Sequence, residues 1–336
     1  MILLVGNATD ETLVYLGWLA ELRGSEVAVL PEDRFGLDWT LQRSRAHSES
    51  PGEVEAVVVH GRRIAWADVD GAVVRLDSSP AVHPTIGIVP KFRRLYATAR
   101  RAEIERVFAD APFTVVNRPD PDGSTAGAID QLERLATSGF AVPDTVVTAD
   151  PDEAKRFVDR HCWNVIAKSV PGFRPFVGWW SPVLAAELRR VERPVLLQEF
   201  VSGDDVHVHV VGDTTFGTSI AGDDSLIDSS DSVEPAEAVH AVVEPPALIR
   251  QLCLIHTRCL GRTVAAFRFR VTIDGTWLCL GMDADPQIVQ FEIGAGHRIG
   301  EAVLDLISPS RSTVRVSVRE PRTTRHIATL SELVPA

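Results

Sequence analysis

The chain has 336 residues, 45% of them apolar, and a formal net charge of −12. It is long enough for about two or three packed units and too acidic for a general nucleic-acid binder, which needs a basic surface. No apolar run approaches the roughly 18 residues of a membrane span, and MILLVGNATDETL lacks the basic start and small-residue cleavage site of a signal peptide, so a cytoplasmic protein without a membrane partner is expected.

MILLVG reads as a first strand ending in a turn at Gly6-Asn7, ETLVYLGWLAELRG as a helix stopped by glycine, and SEVAVL as a second strand. Strand, helix, strand in this order predicts a parallel α/β unit. EAVVVHGRRIAWADV reads as a hairpin around His60-Gly61 and GAVVRL as a further strand. KFRRLYATARRAEIER, residues 91–106, spaces its charges as a helix does; it is either a solvated helix face or a patch for an anionic partner. No GxGxxG follows the first strand, so nothing supports a dinucleotide fold.

A second unit is expected to open at the strand FTVVNRP. After the turn-rich DPDGSTAGA come the amphipathic helix IDQLERLATSGF, the strand AVPDTVVT, a helix DPDEAKRFVDRH with an acidic first turn, and the strand WNVIAKSV. SVPGFRPFVGWW reads as a Gly/Pro/aromatic loop in which one of Trp179 and Trp180 belongs to a core. A helix SPVLAAELRRV, a strand RPVLLQEFV and a hairpin VHVHVVGDTTFGTSI follow. PPALIRQLCLIHTRCLG is a long amphipathic helix, VAAFRFRVTIDGTWLCLGMDADP a hairpin around Asp274-Gly275, and RIGEAVLDLI a helix. A polar, Arg-rich tail begins near Pro309. Cys162, Cys253, Cys259 and Cys279 lack CxxC spacing, which fits reduced, mostly buried thiols.

Three features fall at consecutive strand ends. Only three of the 34 basic residues are lysines, and one, Lys168, sits in the apolar strand NVIAK, placed either to meet a phosphate or to reach solvent from an edge. Asp205, His207 and His209 share one strand face by the period of two, as a solvent face or as a site. His207 and His209 also suit zinc, although no third ligand stands close in sequence. Asp283 and Asp285 are either two hard oxygen ligands for Mg²⁺ or the acidic start of a turn.

In their order and spacing, VVNRP, GFAVPDTVVT, NVIAKSV, PVLLQEFVSGDDVHVHVVGDTTFG, AAFRFRVTIDGTWLCLGMDADP and FEIGAGHRIGEAVLDLI resemble the ATP-grasp superfamily, in its branch of RimK-like, glutathione-synthetase-like and peptide-maturing ligases. The resemblance implies an ATP-grasp fold of mixed α/β and α+β class. Its parts would be an α/β pre-grasp domain over 1–112, a central lid subdomain over 113–190, a C-terminal subdomain over 191–308 and a polar tail over 309–336. It implies an ADP-forming ligase that uses ATP and Mg²⁺ to turn a carboxylate into an acyl phosphate, captured by an amine, hydroxyl or thiol of an amino acid or peptide, in a homodimer. Lys168 would contact the α/β-phosphates, Gln198, Glu199, Phe200 and Val201 would form the adenine hinge, Asp205 would lie near the ribose, and Asp283 and Asp285 would hold the metal.

The departures cluster at phosphate and metal positions. Ala128 stands where the family has a lysine, Arg268 where it has the first metal acid, His207 where it has an arginine, and Asp228-Ser229-Ser230 where it has D-x-R. Arg268 could take the metal's place opposite the acidic pair, and His207 and, from the lid loop, Arg174 are the other catalytic candidates. The alternative is a catalytically impaired member that binds a peptide, nucleotide or partner ligase.

Overall fold

The computed structural model describes residues 1–43, 54–76, 88–120, 128–169, 177–191, 194–221 and 239–308. Its first unit is built on a parallel sheet of β1 (Ile2–Gly6), β2 (Val27–Pro31), β6 (Gly71–Arg75) and β7 (Thr114–Val116), in the order β2-β1-β6-β7. A short antiparallel sheet of β3 (Trp39–Arg43), β4 (Val54–Val59) and β5 (Arg62–Ala65) lies beside it. His60 and Gly61 both take positive φ at the β4–β5 turn, as a two-residue hairpin of this twist requires.

β1 is buried along its whole length, as expected of a parallel strand covered on both faces. Leu3 and Val5 pack with Trp39, Val57 and Ile64 of the small sheet and with Ile104 and Phe108 of α2 (Arg93–Ala109). Ile2 and Leu4 face α1 (Glu11–Leu22) and the last helix of the described residues. Asp10 caps α1 through the Leu13 amide, which satisfies one of its unpaired donors. Arg118 grips the end of α2 through the carbonyls of Phe108, Ala109 and Ala111, a cation at the negative end of a helix. On α2, Arg100 stacks on Phe35 and Arg101 pairs with Glu105, so these two arginines serve the fold.

The second sheet is antiparallel, in the order β10-β9-β11-β8, from β8 (Thr145–Thr148), β9 (Val165–Ser169), β10 (Val177–Trp179) and β11 (Val195–Glu199). Its core joins Ala167 and Leu197 to Phe157 of α4 (Pro151–Arg160) and to Leu184 of α5 (Pro182–Val191). The third sheet is also antiparallel, in the order β14-β13-β12-β15-β16, from β12 (Asp204–Val211), β13 (Thr214–Ala221), β14 (Val239–Val243), β15 (Val264–Val271) and β16 (Trp277–Asp283). Val206, Val208, Val210, Phe267 and Phe269 of one face pack on α3 (Ala128–Thr137) and α6 (Ala247–Cys259). The described residues close with α7 (Val289–Ala295) and α8 (Ile299–Ile307), whose Phe291, Ile299, Val303 and Ile307 return to the first sheet.

Several sequence expectations need correction. β7, read as the start of the second unit, pairs in parallel with β6 as the edge of the first sheet. β11, read as the start of the C-terminal part, lies between β8 and β9. Both strands carry buried apolar side chains that any neighbouring sheet would accept, so only pairing decides their place. Two of the four cysteines are buried, Cys253 and Cys279, while Cys162 and Cys259 are exposed at helix ends. Among the described residues no helix is long and apolar enough to cross a membrane.

Candidate functional site

The site is built where the second and third sheets meet, and its first wall is the end of β11. Lys168 Nζ donates to Gln198 Oε1 at 3.1 Å, and Gln198, buried, donates in turn to Thr145 Oγ1 at 3.1 Å. Glu199 and Phe200 continue the strand, with Phe200 N–H bonded to the Asn164 carbonyl at 2.9 Å. Trp179 lies against Phe200 at 4.5 Å and is 45% exposed, whereas Trp180 packs into the core of the second sheet. Of the two tryptophans, Trp179 is therefore the one available to a ligand.

The second wall is the face of the third sheet opposite α3 and α6. The alternation of β12 puts Asp205, His207 and His209 on it, as the sequence predicts. Their partners across β15 are Arg270, Arg268 and Ala266. Arg270 pairs with Asp205 at 3.0 Å, bonds the Gly203 carbonyl at 3.2 Å, and lies 6.0 Å from the Phe200 ring, which joins the two walls. His207 lies 5.0 Å from Phe291 of α7. His209 is fully buried against the same ring and bonded to the Gln287 carbonyl at 3.2 Å, and burial lowers its pKa to about 4. Among the described residues no group of three or more His, Cys, Asp or Glu could hold a metal, so the zinc reading of His207 and His209 finds no further ligand there.

The acidic pair owes its direction to a bulge in β16. Val271, Arg270 and Phe269 oppose Trp277, Leu278 and Cys279, but Arg268 opposes Gly281 and Ala266 opposes Asp283. Leu280 is the extra residue. A one-residue shift exchanges the faces of a strand, so Asp283 comes to the face of Arg268 and His207, while Met282 and Cys279 enter the core. The expectation that Arg268 stands opposite the acids is thus refined. Its guanidinium lies over Gly281, where a Cβ would come 3.2 Å from Nη2, and Asp283 is one pair further along.

The cations facing Asp285 are instead Arg75 and Arg262. Asp285 is exposed as a residue, but its carboxyl group sits in the wall of a small cavity shared with Thr12, Arg75 and Asn117. Burial of that carboxyl raises its pKa above the usual carboxylate value, against the pull of the two arginines.

Residues 283–287 form a strap held almost residue by residue. Asp283 Oδ1 accepts from the Asp285 amide at 2.9 Å, and Asn117 Nδ2 donates to the Ala284 carbonyl. Arg75, itself paired with Asp10 at 3.2 Å, donates to the Pro286 carbonyl at 3.0 Å. Thr12 Oγ1 donates to Gln287 Oε1 at 3.0 Å. Asn117, buried at a φ of 50°, also accepts from the Thr263 and Val264 amides and donates to the Val264 carbonyl. The first sheet thereby fixes the acidic end of the third.

Sequence reasoning missed α7 and the tethers Arg75, Asn117, Thr12 and Glu292. Glu292 accepts from Tyr15 at 3.0 Å and from the Gly300 amide at 2.6 Å, tying α7 to α1 and α8. Burial and this carboxylate push the Tyr15 hydroxyl up to about 12. VVNRP and FEIGAGHRIG were visible as words, but a tether spanning more than 100 residues leaves no local signal. Arg174, Asp228, Ser229 and Ser230 lie outside the described residues; Ala128 begins α3.

The donor chemistry of Asp283 and Asp285 fits Mg²⁺, which binds through one or two carboxylates and takes its remaining ligands from phosphates and water.

No protein-family model matches the sequence, and no curated protein does. Solved structures match over nearly the whole chain. The macrocyclase MdnC from Microcystis aeruginosa MRC, bound with the precursor peptide MdnA, superposes with a TM-score of 0.72 at 15% identity, over 91% of this chain and 99% of that one. A RiPP-associated ATP-grasp ligase from Chryseobacterium gregarium, in complex with ADP and a leader and core peptide, gives 0.72 at 18%, over 91% and 96%. The ATP-grasp ligase PsnB, complexed with a minimal precursor, Mg and ADP, gives 0.70 at 22%, over 91% and 97%. The chain has the ATP-grasp fold.

Proposed function

We propose that the protein is an ATP-dependent, ADP-forming carboxylate ligase that modifies a peptide. The observation that carries this reading is the meeting of two walls at Phe200: the β11 end with Lys168 and Gln198, and the sheet face with Asp205, Arg268 and Asp283. One wall offers backbone groups and a lysine, the other an acid-rich end. A nucleotide needs both, one for base and phosphates and one for the cation that neutralises them. The likeness to ligases bound to precursor peptides supports a peptide substrate.

In this reading the backbone of residues 199–201 holds the adenine, Trp179 covers it, and Asp205, oriented by Arg270, accepts the ribose hydroxyls. Lys168 contacts the α/β-phosphates. Asp283 and Asp285 hold Mg²⁺, which supplies charge neutralisation at the phosphates when bound. Arg268 and His207 face the γ-phosphate from the middle of the sheet, and Arg174, outside the described residues, is a further candidate cation for the phosphates. A substrate carboxylate oxygen attacks the γ-phosphorus, the bond to the β-phosphate oxygen breaks, and ADP leaves. An amine, hydroxyl or thiol then attacks the acyl carbon and expels phosphate. What the protein supplies is placement and fixed charge.

The homodimer and cytoplasmic setting expected from the sequence accompany this reading, and light scattering tests the first. The reaction is tested by incubating the protein with ATP, Mg²⁺, acidic peptides and hydroxylamine. Peptide-dependent ADP release with a hydroxamate on the peptide supports it. ATP binding without ADP release under any peptide would reduce the protein to a nucleotide-binding subunit.

A further inference from the structure

The turn that follows α4 carries a backbone cost that its local role does not require. Cys162 and Trp163 both take left-handed φ, 52° and 67°, without being glycine. Trp163 N–H bonds the Val158 carbonyl at 3.0 Å and Cys162 N–H that of Asp159 at 3.3 Å, the pattern of a helix C-terminus in which glycine is the favoured left-handed residue. Each such L-residue is strained, because its Cβ crowds the following carbonyl oxygen. Strain of this kind persists where the surroundings over-determine it, and it is a reason to ask what the segment holds.

It holds the end of β11. His161, 15% exposed at its side chain, sits between two carboxylates, with Nε2 2.8 Å from Asp144 Oδ2 and Nδ1 3.4 Å from Glu199 Oε2. Its ring packs on Phe157 of the helix core at 4.6 Å, which fixes the plane of the imidazole. Glu199 is held a second time, its Oε1 accepting from the Asp144 amide at 3.1 Å and its own amide donating to the Asp144 carbonyl at 2.9 Å. Three residues beyond His161, the Asn164 carbonyl takes the Phe200 amide at 2.9 Å. One strained turn therefore fixes both the Glu199 side chain and the Phe200 backbone, the two residues before Val201.

We infer that His161 is a positioning residue for nucleotide recognition: with Asp144 it clamps the Glu199 side chain so that the backbone of residues 199–201 presents a rigid pattern to the edge of an adenine base. This rests on the ATP-binding reading above. Backbone donors and acceptors distinguish adenine from guanine only if they stay within a few tenths of an ångström of one geometry, because the two bases exchange a donor for an acceptor at the same ring edge. A hinge free to rotate about Glu199 would accept either base.

The test compares ADP, GDP and inorganic tripolyphosphate, each with Mg²⁺, by calorimetric titration of the full chain and of His161→Ala and Glu199→Gln. The clamp predicts about ten-fold weaker ADP binding in His161→Ala, a smaller ADP-over-GDP preference, and unchanged tripolyphosphate binding. Glu199→Gln, which leaves the fold-supporting packing of His161 on Phe157 in place, should show the same loss of preference. Unchanged ADP affinity and preference in both variants overturns the inference, as does an equal loss of ADP and tripolyphosphate, the signature of a damaged fold. If the unaltered chain binds none of the three, the ATP-binding reading falls and takes the clamp with it.

Discussion

Arg268 stands opposite Gly281, and Asp283 lies one pair further on the same face, because β16 contains one residue more than β15 between their flanking pairs. Counted from the Asp274-Gly275 turn without the bulge, Leu280 would face Arg268 and Asp283 would point into the core beside Phe267. The bulge is thus what makes a carboxylate available to the site.

Deleting Leu280 should restore the regular register and turn Asp283 inwards. Loss of Mn²⁺ binding in the presence of ADP, read by electron paramagnetic resonance, is expected together with a lower unfolding midpoint. Leu280→Ala keeps the extra residue and should keep the metal signal. A deletion variant with full Mn²⁺ binding would contradict the role given to the bulge.

Asn117 joins the first sheet to both β15 and the strap. Asn117→Ala leaves the buried Val264 amide and carbonyl without a side-chain partner, at about 1–3 kcal/mol for each unsatisfied group, and replaces an asparagine, which tolerates a φ of 50°, with a residue that adopts it less readily. A loss of about 2–6 kcal/mol in urea unfolding is expected. Asn117→Gly removes the same bonds without the left-handed cost of about 1–2 kcal/mol and should be the less damaged of the two.

Lys168 is the one cation placed on the β9–β11 wall beside Gln198 among the described residues of that sheet's site face. Lys168→Met removes a charge-assisted contact of about 1.5–3 kcal/mol, so ATP should bind roughly 10- to 100-fold more weakly. Folding should lose about 1–3 kcal/mol, because the buried Gln198 Oε1 loses its lysine donor while Gln198 Nε2 keeps its bond to Thr145. Equal ATP affinity in the variant would remove Lys168 from the phosphate site.

Acid sensitivity should have a component from His209. Its folded pKa, lowered by burial to about 4, lies below the free value of 6.5, so the unfolded chain takes up the proton first. The stabilisation is complete above pH 6.5 and is lost as the pH falls towards 4, by about 3 kcal/mol in full. His209→Gln, which cannot titrate, should flatten this limb of the stability curve measured by urea unfolding between pH 7 and about pH 4.

What could be read from the sequence was local in character. The period of two placed Asp205, His207 and His209 together, and His60-Gly61, Gly212-Asp213 and Asp274-Gly275 marked the hairpins. Lys168, Gln198 and the acidic pair were visible as residues out of keeping with their apolar runs. What was not legible depends on distance along the chain. Thr12 meets Gln287, Arg75 meets Pro286 and Asn117 meets Ala284, and none of these pairs is suggested by composition or spacing. The seven residues of α7 are too few for a helical period to show, and three-residue β10 was lost in a loop of prolines and aromatics. The bulge at Leu280 shows why register matters, since a single uncounted residue decides whether Asp283 serves a site or a core.

The most direct measurement is calorimetric titration of the full chain with ATP, with and without Mg²⁺, beside Asp283→Asn. The account predicts micromolar, Mg²⁺-strengthened binding in the unaltered protein and at least ten-fold weaker binding, with little gain from Mg²⁺, in the variant. Absence of ATP binding in both conditions, or binding indifferent to both Mg²⁺ and Asp283, would contradict it.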